Sequence, residues 1–149
     1  VKLIKSTLAA AVMAIALPFA APAAAQEFPL VSGEYVSMAG VVVEDGEGGL
    51  KYAEWLATEW KRFQEYAKSQ SWISDYGIYA NSNARAGEPD IFLVTQFASL
   101  PDAAEEERRN KAFDAWSKTT VREQIAASGN RSEYRTVISS MLLQELKPR

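Results

Sequence analysis

YVSMAGVVVEDGEGG, residues 35–49, passes from a valine-rich run into a cluster of acids and glycines. Residues 35–44 read as a strand, because β-branched side chains suit a pleated surface and turn formers bound the run: Gly33 before it, Asp45-Gly46-Glu47-Gly48-Gly49 after it. Successive strand side chains point to opposite faces, so the consecutive Val41, Val42 and Val43 put apolar groups on both. The expectation is a sheet buried on two sides. Over residues 50–69 the period changes. Ala53, Leu56, Trp60, Phe63 and Ala67 recur at helical spacing, Tyr52, Trp55 and Tyr66 widen the stripe, and Glu54, Glu59, Lys61, Arg62, Glu65 and Lys68 occupy most of the remaining circumference. That is an amphipathic helix laid on the sheet.

Residues 72–81 (WISDYGIYAN) and 90–98 (DIFLVTQFA) are aromatic and β-branched, and the segment between them (NSNARAGEP) is dense in turn formers, so they predict an antiparallel hairpin. Leu100-Pro101 stops the second strand. Asp102 with Glu105 three residues on is a capping-box-like helix start, and Glu105/Arg109 and Glu107/Lys111 are i,i+4 pairs in the favoured order, reading as a solvated face. Packing is expected from Ala112, Phe113, Trp116, Val121 and Ile125, with a break near Thr119 where Thr120 and Glu123 repeat the cap spacing. Gly129 is expected to end that helix. Residues 137–146 (VISSMLLQEL) predict a fourth strand, stopped by Pro148.

The resulting βαββαβ order is that of an α+β, ferredoxin-like domain: a four-stranded antiparallel sheet with helices on one face. The other face must also be covered, since Phe92, Leu93 and Val94 repeat the two-sided pattern of the valines. A second copy of the sheet does this at least cost, giving a twofold homodimer with a barrel between protomers. GEYVSMAGVVVEDGEGG (33–49), AEWLATEWKRFQEYAKSQSW (53–72), ISDYGIYANSNARAGEPDIFLVTQF (73–97) and SSMLLQELKPR (139–149) resemble exported bacterial proteins related to the dimeric α/β barrels. That superfamily includes quinol-type monooxygenases, haem-degrading enzymes, dismutase-like proteins and non-catalytic binders. The resemblance implies the fold, not one activity. Haem-degrading members rely on an iron-binding histidine that this chain lacks. Cofactor-free monooxygenases of the group activate a phenolic substrate in an apolar cavity with a few polar side chains.

Composition narrows the chemistry further. The chain has 149 residues, 48% hydrophobic and 23% charged, with neither cysteine nor histidine. This removes thiolate nucleophiles, imidazole bases, Ser-His-Asp triads, Cys/His zinc sites and His-ligated haem. No cofactor and no metal are expected. Residues 1–25 read as a secretory signal peptide: Lys2 and Lys5, an apolar centre over residues 8–17, then Ala23 and Ala25 at small-x-small spacing before Gln26. The expected product is a periplasmic or secreted bacterial protein comprising one domain, residues 26–149, with no membrane anchor after cleavage. Cleavage takes away two of the 16 basic side chains and none of the 19 acids. The acidic balance argues against nucleic acid, whose phosphates need a clustered basic surface.

Several side chains are candidates for contact with a ligand. Asp75, Tyr79 and Asn81 alternate along the second strand, with Tyr76 between, while Gln96 on the third and Ser140 and Gln144 on the fourth are polar groups among apolar ones. A buried Asp75 would have its charged form disfavoured and would act as a base; near an edge it would be solvated or paired, for instance with Arg85. Arg85 itself, in the hairpin loop, offers a guanidinium fork for a carboxylate or phenolate. Trp55 and Trp60 supply flat apolar walls. Gly46-Glu47-Gly48-Gly49 lacks the Gly-Lys-Ser/Thr ending of a phosphate loop, and its neighbouring acids would repel phosphate. The leading expectation is a homodimer binding a small apolar or aromatic molecule. The alternatives are a cofactor-independent monooxygenase-like or isomerase-like enzyme using Asp75, Tyr76 or Tyr79, and a structural module that binds another protein.

Overall fold

A computed structural model describes residues 27–149; the leader assigned to residues 1–25 lies outside them. The elements are β1 (Leu30–Val43), α1 (Glu47–Trp55), a π turn (Leu56–Trp60), α2 (Lys61–Ser69), β2 (Asp75–Ala80), β3 (Ile91–Phe97), α3 (Ala103–Ser117), α4 (Val121–Arg131) and β4 (Arg135–Pro148). The strands form one antiparallel four-stranded sheet in the order β2-β3-β1-β4, so the fold is α+β.

The register divides the side chains between two faces. Val41 pairs with Ile91, Ala39 with Leu93 and Val43 with Arg135, and these positions face the helices. There Tyr52, Leu56 and Trp60 bury against Val41, with Val43, Trp55, Tyr76, Ile91, Leu93 and Tyr134 packed around them. This stripe differs from the expected one, because Tyr52 is buried and Ala53 exposed. The π turn is the cause. In an α-helix each step of four residues overshoots a full turn by about 40°. A π turn holds more residues per turn and takes the excess back, so 52, 56 and 60 stay aligned on the sheet. Beyond it, α2 turns Phe63 and Tyr66 toward α3: Phe63 meets Phe113 edge-on at 5.3 Å, and Tyr66 stacks on Trp116 at 4.1 Å.

Both anticipated caps are present. The Asp102 carboxylate accepts from the Glu105 N–H, and Glu105 pairs with Arg108 and Arg109 at 2.6 Å each, which holds its carboxyl down at about 2. Lys118, in the left-handed region at φ 58°, ends α3, and the Thr120/Glu123 capping box starts α4. Thr120→Ala removes one half of that box and is expected to cost about 1 kcal/mol. Urea unfolding monitored at 222 nm checks this; an unchanged midpoint would mean the cap adds nothing.

Other boundaries move. Val121 and Ile125 are 58% and 68% exposed rather than packed, and α4 runs through Gly129 to Arg131. Gly33 does not bound β1. It sits in a bulge between the Ser32/Leu146 and Tyr35/Gln144 pairs, where an added Cβ would collide with the Glu145 side chain, and the ladder continues beyond it to Leu30/Pro148. Pro148 is tolerated at the end of an edge strand, where Arg149 closes the ladder by donating to the carbonyls of Pro29 and Phe28. β2 begins only at Asp75, because Trp72 packs edge-on against Tyr66 at 5.3 Å and its N–H goes to the carbonyl of Ala67 at the end of α2.

Candidate functional site

The sheet face turned away from the helices is laid out in rows by the register. One row runs Asp75, Gln96, Val36, Leu143; the next Gly77, Val94, Met38, Met141; the third Tyr79, Phe92, Gly40, Ser139. The Tyr79 ring leans along β2 over Gly77, where an added Cβ would lie 2.7 Å from it, and Pro89 folds over Gly40. The middle of the face is a depression of about 370 Å³ lined by Met38, Tyr79, Phe92 and Val94. Beside it lies a polar hollow of about 250 Å³ formed by Glu34, Val36, Gln96 and Glu145. Of the anticipated contacts, this face brings together Asp75, Tyr79 and Gln96.

Asp75 lies at the strand end and is exposed. Its carboxylate meets Lys68 Nζ at 2.9 Å, and the hydrogen bond from Lys68, with a second from the Tyr76 N–H, holds its pKa below the ordinary carboxylate range. This is opposite to the shift that burial would produce, and the partner is Lys68, not Arg85. Arg85 is 86% exposed and pairs with Glu88 of its own loop at 2.9 Å. Asn81 falls just outside β2, where its amide donates to the Pro89 carbonyl at 3.0 Å and its oxygen accepts from the Asn83 N–H, so it ties the hairpin loop.

The remaining candidates belong to the helix side. Trp60 is core, edge-on to Tyr76 at 5.4 Å. Ser140 pairs with Ala39 and is exposed. Tyr76 donates its hydroxyl to Glu65, and that bond to a carboxylate pushes its ionisation from 10.0 up to about 12. Between those values the folded chain holds a proton that the unfolded chain has released, so stability falls as pH rises through this window. Tyr76→Phe is expected to flatten that alkaline limb; a limb unchanged in urea melts taken from pH 9 to 12 would assign it to other groups.

Trp55 lines a second concavity, a cleft of about 490 Å³ between the first helix and α3–α4. Trp55, Phe63, Phe113 and Ala127 give its apolar walls, and Glu59, Arg62, Thr119, Glu123, Gln124 and Arg131 its polar ones. Arg62 pairs with Glu59 at 2.8 Å and lies 4.7 Å over the Trp116 ring. The Arg131 guanidinium lies 4.2 Å over Trp55, and its buried Nε has no hydrogen-bond partner. Sequence reasoning passed over Gln124, Ala127 and Arg131. Their spacing marks one helix face, but it competes with the neighbouring face carrying Val121 and Ile125, which hydrophobicity alone turns inward.

Among the described residues no group of three or more His, Cys, Asp or Glu is placed to hold a metal ion, and no helix is long and apolar enough to cross a membrane. Comparison of the chain with protein-family profiles, curated proteins and solved structures finds no match.

Proposed function

We propose that the protein is an exported homodimer of ferredoxin-like subunits that binds a small apolar or aromatic molecule against its sheet. The order β2-β3-β1-β4, with β1 and β3 central and the helical cover on one face, supports the fold assignment. The observation that carries the binding reading is the uncovered face. Met38, Phe92 and Val94 form an apolar floor there, Tyr79 overhangs it while 57% exposed, and Met141 and Leu143 extend the same face along β4 at 40% and 47% exposure. A contiguous apolar surface of this kind marks an interaction site. A second copy related by a twofold axis presents the same surface in return and encloses the depression from both sides. Gln96 stands at its margin as a polar group able to orient a ligand, while Asp75, at the strand end, is held by Lys68. The leader pattern of residues 1–25 supports export to the periplasm.

Native mass spectrometry of the chain from Gln26, purified from a bacterial periplasm, tests the reading. A dimer carrying a reproducible extra mass is the expected result and supplies the ligand's mass. A monomer at micromolar concentration would overturn the shared barrel, and a dimer with no adduct in any preparation would leave assembly without cargo and favour a structural role.

A further inference from the structure

We propose that the cleft between the first helix and α3–α4 is a second binding site, selective for a small aromatic carboxylate whose ring lies among Trp55, Phe63 and Phe113 and whose anion is held by Arg131. The site is separate from the sheet face and needs no second protomer.

Arg131 is the reason for the anion. Among the described residues no carboxylate lies within ion-pair distance of it, and its Nε is buried with nothing to donate to. Arg131 is half-buried, so water screens its charge less than at the open surface and an anion beside it is favoured. The Trp55 face at 4.2 Å satisfies the flat side of the guanidinium but none of its in-plane N–H groups. Burial, with repulsion from Arg135 nearby, presses its pKa below the usual arginine range. Among the described residues Arg135 has no carboxylate in ion-pair contact, and its side chain reaches Ser128 Oγ at 3.4 Å. A carboxylate entering the cleft would meet the terminal Nη groups of Arg131, two in-plane donors that unlike Nε are not buried.

The remaining lining sets the class. Glu59 is committed to Arg62, and Glu123 to the Thr120 N–H and hydroxyl, so neither neutralises Arg131. Both carboxyl groups line the cleft, which disfavours a dianion such as phosphate relative to a singly charged ligand. Gln124 donates to Asp114 at 2.9 Å and to Thr119 at 3.4 Å, which leaves its amide oxygen for a ligand hydroxyl. A volume of about 490 Å³ suits one or two fused rings and is in the usual range for small-molecule pockets.

The test is titration of the purified chain with 2-naphthoate, its neutral counterpart 2-naphthalenemethanol, and inorganic phosphate, read by tryptophan fluorescence and calorimetry. Saturable naphthoate binding at least tenfold tighter than the alcohol is expected, with phosphate failing to compete. Arg131→Gln should bring naphthoate down to the level of the alcohol, and Arg131→Lys should restore only part of the difference, since an ammonium lacks the fork. Leu143→Arg, on the sheet face, should leave naphthoate binding unchanged even where it alters assembly, so a failed dimer and a failed cleft give different results. Equal binding of naphthoate and alcohol, full affinity in Arg131→Gln, or no naphthoate binding at millimolar concentration would each overturn the proposal. Should Arg131→Gln lose its native circular dichroism, the comparison of the two ligands on the unmodified chain decides alone.

Discussion

Trp60→Ala is expected to destabilise the folded chain by about 3–5 kcal/mol, the range for removing a large aromatic from a packed interior. The effect is large relative to what there is to lose. Domains of this size have total stabilities of about 5–15 kcal/mol, and among the described residues the buried apolar set is small: Val41, Tyr52, Leu56, Trp60 and Val94. Trp60 sits in the last turn of the stripe that joins helix to sheet, 7% exposed, against Tyr76 on an edge strand. Its loss opens a cavity where the indole packs against Tyr76 of β2. Urea unfolding read by far- and near-ultraviolet circular dichroism should show a midpoint lowered in proportion to that loss. A change under 1 kcal/mol would mean that the helix docks on the sheet chiefly through Tyr52 and Leu56.

The second large effect separates the two faces of β4. Leu142 and Leu143 are adjacent and comparably exposed, at 53% and 47%, but Leu142 pairs with Ser37 on the helix side while Leu143 pairs with Val36 on the uncovered side. If a second copy covers that side, Leu143→Arg places an unpaired guanidinium in the interface of both protomers and should weaken association by about 100-fold or more, since each buried unpaired charge costs several kcal/mol. Leu142→Arg adds the same charge one residue away and should leave the dissociation constant within about threefold. Sedimentation equilibrium of the two variants checks this. Equal weakening would mean that association runs along the edge of β4 and not over the face, and no weakening by either would remove β4 from the contact.

Much of the architecture is legible in the chain because its signals are local and agree with each other. The valines at 41–43, the turn formers at 45–49, and the Asp102 and Thr120 caps each place a boundary without help from distant residues, and the element order follows from them. What is not legible depends on partners far away in sequence. The bulge at Gly33 exists because Glu145 lies opposite it, and the exposure of Val121 and Ile125 follows from the opposite choice of helix face, made by Gln124 and Arg131. The candidate site divides for the same reason. Strand alternation groups Asp75 with Tyr79, but only the register adds Gln96 to them and sends Ser140 to the other side, since one residue of slip exchanges the faces. Asn81 and Arg85 look like ligand contacts in a list of polar residues; their partners, the Pro89 carbonyl and Glu88, make them fasteners of a loop.

The π turn acts as a ruler. It lets one helix address two targets that an α-helix of the same length would miss: the sheet through Tyr52, Leu56 and Trp60, and α3 through Phe63 and Tyr66. Omission of a single residue with the π turn kept, Lys61 for example, would rotate everything after it by about 100°, carrying Phe63 and Arg62 out of the cleft wall while leaving Trp55 in place. The interval from Trp55 to Phe63 is therefore constrained in length more tightly than in composition. Exposed positions inside it, such as Ala57, can change their side chains freely. In any chain built on this plan, the count of residues across that interval, taken together with the presence of the π turn, reports whether the cleft has been kept.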